Sequence, residues 1–442
     1  LRLHFYAGVF VGPFVLIAAV TGLLYTVSPQ LEQGVHAHEL TVPVGAERIP
    51  LADQVSIAQQ ALPEGTLTEV RPASEPGSTT RVTFDTPDVP PDYQRTVFVD
   101  PYSGEVRGTL ETFGEWLPVR SWIDELHRTL HLGNVGRVYS ELAASWLWVL
   151  ALSGLVMWAV RRRRKHRIRR ILLPEVRGRG RSRLRSWHGA VGVWALAGLL
   201  LLSATGLTWS QFAGANVTQL RSALQWSTPA VSTELPATAS STGISVPGQG
   251  VTAERLLRIA RDSGMGGPVA IQPPKEAGGA WVVKQVQRHW PTQQDAVAID
   301  PASGAIMEKI RFTDWPIAAK LARWGIDTHM GLLFGVVNQI LLAALALALI
   351  CMVVWGYRMW WLRRPTQGGV ATTLGSGAWP SRGAVFTVAL LGLAIGVFLP
   401  VLGVSVLAFL LLDSLLLTPR RIRRELPGAP EAPPRPKSMT SY

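Results

Sequence analysis

Apolar residues in this chain collect in blocks long enough to cross a bilayer, set apart by two long polar stretches and one basic run. Residues 187–210, WHGAVGVWALAGLLLLSATGLTWS, form such a block; about 20 apolar residues rising about 1.5 Å each span a hydrocarbon core of about 30 Å. Residues 3–27 form a second. Its apolar core is too long for a signal-peptide h-region and no cleavage pattern follows, so a retained anchor is expected. Residues 127–160 and 328–362 predict two more spans. The stretch 385–417, interrupted by Pro400, exceeds one comfortable span and predicts a hairpin of two short helices over 383–418, six spans in all. Asp413 falls near its inner end, where a snorkelling or bundle-facing carboxylate is expected.

The blocks repeat. His4 is followed by Gly8, Thr21 and Gly22, and His188 by Gly192, Thr205 and Gly206, at the same three offsets. His127 precedes Gly133, Gly154, Trp158 and Arg161 as His329 precedes Gly335, Gly356, Trp360 and Arg363, and Trp122 and Trp324 lie equally far upstream. Residues as uncommon as Trp and His do not fall into one register by chance.

Between the paired blocks lie polar segments, 36–124 and 216–324. In the first, 51–62 has helical periodicity, 81–85 and 96–99 read as strands, and Asp100-Pro101-Tyr102-Ser103-Gly104 reads as a turn. In the second, 253–262 reads as a helix, 280–287 and 296–299 as strands, and Asp300-Pro301-Ala302-Ser303-Gly304 repeats the Asp-Pro-x-Ser-Gly turn. Each half is therefore expected to be helix, small α+β module, helix. The fold class is an α-helical membrane bundle with a four-helix core, two α+β modules and a C-terminal hairpin.

Charge sets the orientation. The net charge of +13 is concentrated in 161–185, which holds thirteen Lys and Arg against Glu175 alone. Flanked by hydrophobic blocks, this run reads as a cytoplasmic loop under the positive-inside rule and not as a nucleic-acid surface. Arg363 and Arg364, and the arginines of 420–424, point the same way. The N-terminus is then inside, both modules are extracytoplasmic, and the Pro-rich residues 419–442 form a disordered cytoplasmic tail. The single cysteine, Cys351, excludes a disulfide framework, a thiolate zinc site and an iron–sulfur cluster.

The candidate chemistry lies in the histidines. One histidine at a helix end is ordinarily a cap or a headgroup contact. In matched halves, however, His4 faces His188 at the inner side and His127 faces His329 at the outer side. Paired imidazoles on facing helices, with glycines that admit a flat macrocycle, are what a bis-histidine haem requires; zinc would lack its third and fourth ligands. His131, one turn after His127, corresponds to Leu333 in the second half. Symmetry favours His127, with His131 as a replacement ligand or a rim residue between haem and substrate.

On these residues the chain resembles the PepSY-associated transmembrane proteins of bacteria, also called iron-regulated membrane proteins. The resemblance rests on the His4 helix ending in Thr21-Gly22, the segment Leu126-His127-Arg128-Thr129-Leu130-His131-Leu132-Gly133, the Trp187-His188 helix ending in Thr205-Gly206, His329 with Gly335, and the two Asp-Pro-x-Ser-Gly turns. It covers residues 1 to about 365; the hairpin departs from the four-span core. It implies that the soluble segments are PepSY modules. Some members resemble haem-binding reductases of the bacterial inner membrane that pass electrons outward to ferric siderophores. That implies two haem b groups, iron ligation by His4, His188, His127 and His329, an unidentified cytoplasmic electron donor and a ferric-siderophore substrate. Trp281, His289 and Trp290 are candidate substrate contacts. The alternative is a membrane-anchored PepSY protein that binds or inhibits extracytoplasmic peptidases without redox activity.

Overall fold

A computed structural model describes residues 2–163, 172–175, 179–234, 252–276, 278–362 and 382–422. Most of the basic run's first half and the tail beyond residue 422 lie outside the described residues, as does the side chain of Asp413. The chain divides into two units, residues 1–376 and 377–442.

The first unit opens with α1 (Arg2–Thr26), α2 (Ser28–Val35), α3 (Ala37–Leu40) and α4 (Leu51–Ala61). Strands β1 (Thr66–Arg71), β2 (Thr80–Asp85), β3 (Gln94–Val99) and β4 (Val106–Thr112) follow, then α5 (Pro118–Thr129) and α6 (Gly133–Arg163). The same succession continues with α7 (Gly180–Thr208), α8 (Phe212–Ala223), α9 (Ala253–Asp262), β5 (Val269–Gln272), β6 (Trp281–Gln285), β7 (Ala296–Ile299), β8 (Ile306–Ile310), α10 (Ile317–His329) and α11 (Gly335–Trp361). The second unit is a pair of packed helices, α12 (Arg382–Phe398) and α13 (Pro400–Ile422).

Among the described residues, four helices are long and apolar enough to cross a membrane, over Leu3–Thr26, Gly133–Val160, Gly180–Thr208 and Gly335–Trp361. The hairpin forms where expected, but its described apolar segments, Ala389–Phe398 and Pro400–Leu412, are shorter than a span. Helix α1 packs against α6 and α11, and α7 packs against the same two, so α1 and α7 stand across the bundle from each other. Polar ties join these apolar rods. Pro13 lies inside α1 and has no N–H for the carbonyl of Val9; the Tyr357 hydroxyl of α11 donates to that carbonyl at 2.6 Å. Tyr139 of α6 donates to the Phe14 carbonyl at 2.9 Å, and Ser203 of α7 to the Ala144 carbonyl at 2.7 Å. Glu141, fully buried on α6, accepts from the N–H groups of Phe212 and Ala213 at 2.8 and 3.0 Å and so caps α8.

Two sequence expectations are corrected. The blocks 127–160 and 328–362 are not single helices. Leu130, His131 and Gly133 take φ of 54°, 56° and 56°, which ends α5 and restarts the chain as α6; Gly331 and Gly335, at 74° and 56°, do the same between α10 and α11. His127 and His329 therefore sit on short helices that meet the bundle and not on the spans. The two α+β segments are also not separate modules. Their strands form one antiparallel sheet in the order β4-β3-β2-β1-β5-β6-β7-β8, with Val70 opposite Ile271 at the seam. One core lies over the seam: Leu51 and Ala58 of α4, Leu256 and Ala260 of α9, and Val70, Val82, Phe84, Ile271 and Val283 of the sheet. Glu254 of α9 accepts from the Leu51 N–H at the start of α4, so the second half caps a helix of the first. Both Asp-Pro-x-Ser-Gly turns form: the Asp100 and Asp300 carboxylates accept from Ser103 and Ser303 hydroxyls at 2.8 and 2.6 Å, and Gly104 and Gly304 supply φ of 77° and 75°.

Candidate functional site: two histidine pairs

His4, near the start of α1, and His188, on α7, approach each other across the bundle with ring centres 6.4 Å apart and planes at 89°. His127 and His329, on α5 and α10, meet the other ends of the same two helices. His127 Nδ1 is 2.9 Å from Thr21 Oγ1 and His329 Nδ1 is 2.5 Å from Thr205 Oγ1. The threonines that marked the repeat are thus the partners of His127 and His329, named the outer pair after the side on which the sequence leads one to expect them.

The hydrogen bonds decide the tautomers. A carbonyl can only accept, so His188, 3.0 Å from the Met352 carbonyl, carries its proton on Nδ1. Thr21 donates its one hydroxyl proton to the Ile17 carbonyl at 2.9 Å, and Thr205 to the Leu201 carbonyl at 2.6 Å. Each hydroxyl is left to accept from its histidine's Nδ1–H. His4 follows the same logic: Ser153, 2.9 Å from His4 Nδ1, donates to the Leu150 carbonyl at 3.2 Å. All four rings are Nδ1–H tautomers, and among the described residues none has a hydrogen bond at Nε2. A neutral imidazole oriented through Nδ1–H with a free Nε2 lone pair is the usual state of a metal-ligating histidine.

Backbone shape lets the rings lie close. A side chain at Gly154 would bring its Cβ within 3.1 Å of the His4 ring, and one at Gly22 within 3.2 Å of the His127 ring. Gly8, one turn beyond His4, has no atom within 4 Å of where its Cβ would stand, and so leaves open space beside the inner pair. Gly192 differs from its counterpart, because Met352 Sδ lies 3.4 Å from that position. Burial pushes His127 down to about 4 and His329 down to about 3, the nearby His127 adding to the second effect. Both outer imidazoles are therefore neutral at physiological pH. Among the described residues no group of three or more His, Cys, Asp or Glu side chains is arranged to hold a metal ion.

His131 stands apart from the outer pair. It is exposed, and its ring packs on Trp122 at 4.9 Å. Trp290 is 56% exposed and packs on Trp324 and Phe334. His289 is exposed, whereas Trp281 is part-buried and packs against the shared sheet core.

A charged network joins the sheet to the outer pair. Arg288 pairs with Glu115 and, at 2.8 Å, with Asp327, which is fully buried two residues before His329 and also takes Arg323 at 2.8 Å. Burial alone would raise the Glu115 carboxyl, but Arg288 and Arg71 more than offset this and hold it at about 2. The network was not legible in the sequence, because Arg288 lies 39 residues from Asp327 and 173 from Glu115, and only Arg323 and Asp327 are close along the chain. The contacts of Thr21 with His127 and of Thr205 with His329 had a signal, namely the fixed offset of the two threonines from His4 and His188.

The family described as the PepSY-associated TM region matches residues 1–363. The chain belongs to that family. It is a multi-pass membrane protein by the same match and by its four span-length helices. A comparison with curated proteins returned no match.

Proposed function

We propose that the protein carries electrons across the bacterial inner membrane through two haem b groups and reduces an Fe(III) complex of the ferric-siderophore type on the outer face. The observation that carries this reading is the set of four Nδ1–H imidazoles with uncommitted Nε2 lone pairs, gathered in two pairs at opposite ends of one bundle.

The residues fit the group. With a metal–imidazole bond of about 2 Å and a ring centre about 1 Å behind Nε2, two imidazoles on one iron stand about 6 Å apart, centre to centre. The 6.4 Å of His4 and His188 agrees with that spacing. A haem bound at each pair supplies a one-electron Fe(III)/Fe(II) couple. The chain's own part is to fix the ligands. Ser153, the Met352 carbonyl, Thr21 and Thr205 hold each imidazole in one tautomer and orientation, and the apolar bundle excludes water. The two pairs lie at opposite ends of the same two helices, which supports one haem in each leaflet.

The basic run after α6 supports an inside N-terminus, with His4 and His188 beside a cytoplasmic donor and the sheet outside. One electron leaves that donor and one Fe(III) complex becomes Fe(II). His131 on Trp122, and Trp290 with Trp324 and Phe334, are the exposed aromatic surfaces nearest the outer pair in sequence and are offered as substrate contacts.

The test is haem content per polypeptide in protein purified from haem-replete cells. Wild type is expected to bind two haems and His188→Ala and His329→Ala one each. A colourless wild-type protein, or variants that each lose everything, would sink the two-site reading.

A further inference from the structure

Arg183, Leu184 and Trp187 on one face of α7, and Trp355, Arg358 and Leu362 running off the end of α11, line a cleft of about 440 Å³. That volume is within the roughly 300–1,000 Å³ of small-molecule sites. The cleft lies where two span-length apolar helices end, at the end of the bundle that carries His4 and His188. The Trp187 and Trp355 rings meet edge to face in its wall, 6.3 Å between centres. Its lining contains no acid, both arginines are exposed, and among the described residues neither has a hydrogen bond or an ion pair. The Trp187 indole N–H is buried and has no acceptor among them.

The repeat breaks at these positions. At the offset that matches His127 to His329, Trp355 corresponds to Ser153 and Arg358 to Val156; at the offset that matches His4 to His188, Trp187 corresponds to Leu3. Ser153 is the partner of His4, whereas His188 turns to the Met352 carbonyl, one turn before Trp355. The first half thus orients its histidine with no tryptophan or arginine at these places. A single exposed arginine is ordinarily just solvated. Two that share one cleft with apolar walls complement a phosphate, because a guanidinium donates paired N–H bonds to phosphate oxygens. Trp and Arg at the end of a span also lie at the depth of lipid headgroups.

We propose that this cleft binds an anionic phospholipid, with the phosphate between Arg183 and Arg358 and the glycerol and upper acyl chain against Trp187, Trp355, Leu184 and Leu362. A lipid fits better than a soluble phosphoanion because the remaining walls are aromatic and aliphatic and belong to helices that continue into the bilayer. The bound lipid bridges α7 to α11 beside the contact of His188 with the Met352 carbonyl, and so ties together the two helices that position that ring. The inference is independent of haem, and neither readout below requires one.

The experiment uses the full chain, stripped of lipid in a neutral detergent at fixed ionic strength. It is titrated with phosphatidylglycerol, with phosphatidylcholine of the same acyl chains, or with glycerol 3-phosphate, and bound lipid is read by native mass spectrometry beside the thermal midpoint. Phosphatidylglycerol is expected to bind saturably and to raise the midpoint, with half-saturation about five-fold weaker for each arginine removed in Arg183→Gln and Arg358→Gln. No saturable binding to the wild type, or equal binding of phosphatidylcholine, would overturn the proposal. So would an equal rise with glycerol 3-phosphate, which would make the ligand a soluble phosphoanion. The double variant should lose the response; if it does not fold, the single variants decide, and an unchanged half-saturation in both counts against the site.

Discussion

Thr205 Oγ1 and His329 Nδ1 stand 2.5 Å apart, and because the hydroxyl donates its proton to the Leu201 carbonyl, the imidazole is the donor between them. Thr21 and His127 repeat the arrangement. Thr205→Val removes the acceptor, frees the ring to rotate and lets the proton move to Nε2. Loss of the group that orients a ligating imidazole costs about 10–100-fold in metal affinity. Haem titration of Thr205→Val and Thr21→Val should show one weakened and one normal site in each variant. Two normal sites would remove the threonines from the argument.

His131 is exposed on Trp122 while His127 lies against Gly22 and Thr21, so the two are not interchangeable. His127→Ala should lose outer haem as completely as His329→Ala, and His131→Ala should keep both haems. Reduced-minus-oxidised spectra of the three variants check this; loss of haem in His131→Ala would return that residue to the ligand set.

Glu115 carries a pH dependence of known sign. Its carboxyl, ordinarily near 4.5, is held at about 2 in the fold, so the unfolded state binds more protons as pH falls from about 4.5. The stabilisation is whole above that range and is lost as pH drops towards 2, up to about 3 kcal/mol. Glu115→Gln lacks it throughout. The gap in chemical-denaturation stability between wild type and Glu115→Gln should therefore close between pH 4.5 and 2, and a constant gap would contradict the pairing with Arg288 and Arg71.

Glu141 caps α8 from inside the bundle with both oxygens. Glu141→Ala leaves the buried N–H of Ala213 and the part-buried N–H of Phe212 without their acceptor, a loss of about 1–3 kcal/mol for the buried one. A lower thermal midpoint and faster amide exchange at Phe212 and Ala213 are expected. Unchanged exchange there would show that water or another group replaces the carboxylate.

Much of this protein is written in local spacing. Apolar blocks of span length, the histidines, threonines and glycines at equal offsets, and the two Asp-Pro-x-Ser-Gly turns depend on neighbours along the chain, and hydropathy and φ preferences express them without tertiary help. What the sequence left open are relations between distant backbones. Val70 opposite Ile271 merges two expected modules into one sheet, since a strand edge pairs with whatever edge the fold brings to it. His131 shares a motif with His127, yet left-handed backbone at Leu130 and His131 turns it away from the pair. Trp281 has the composition of a surface contact and lies against the core because strand alternation, set by register, turns it there. The free Nε2 on each histidine was also invisible in sequence: a tautomer is fixed by its hydrogen-bond partner, and those partners lie 106, 124, 149 and 164 residues away along the chain.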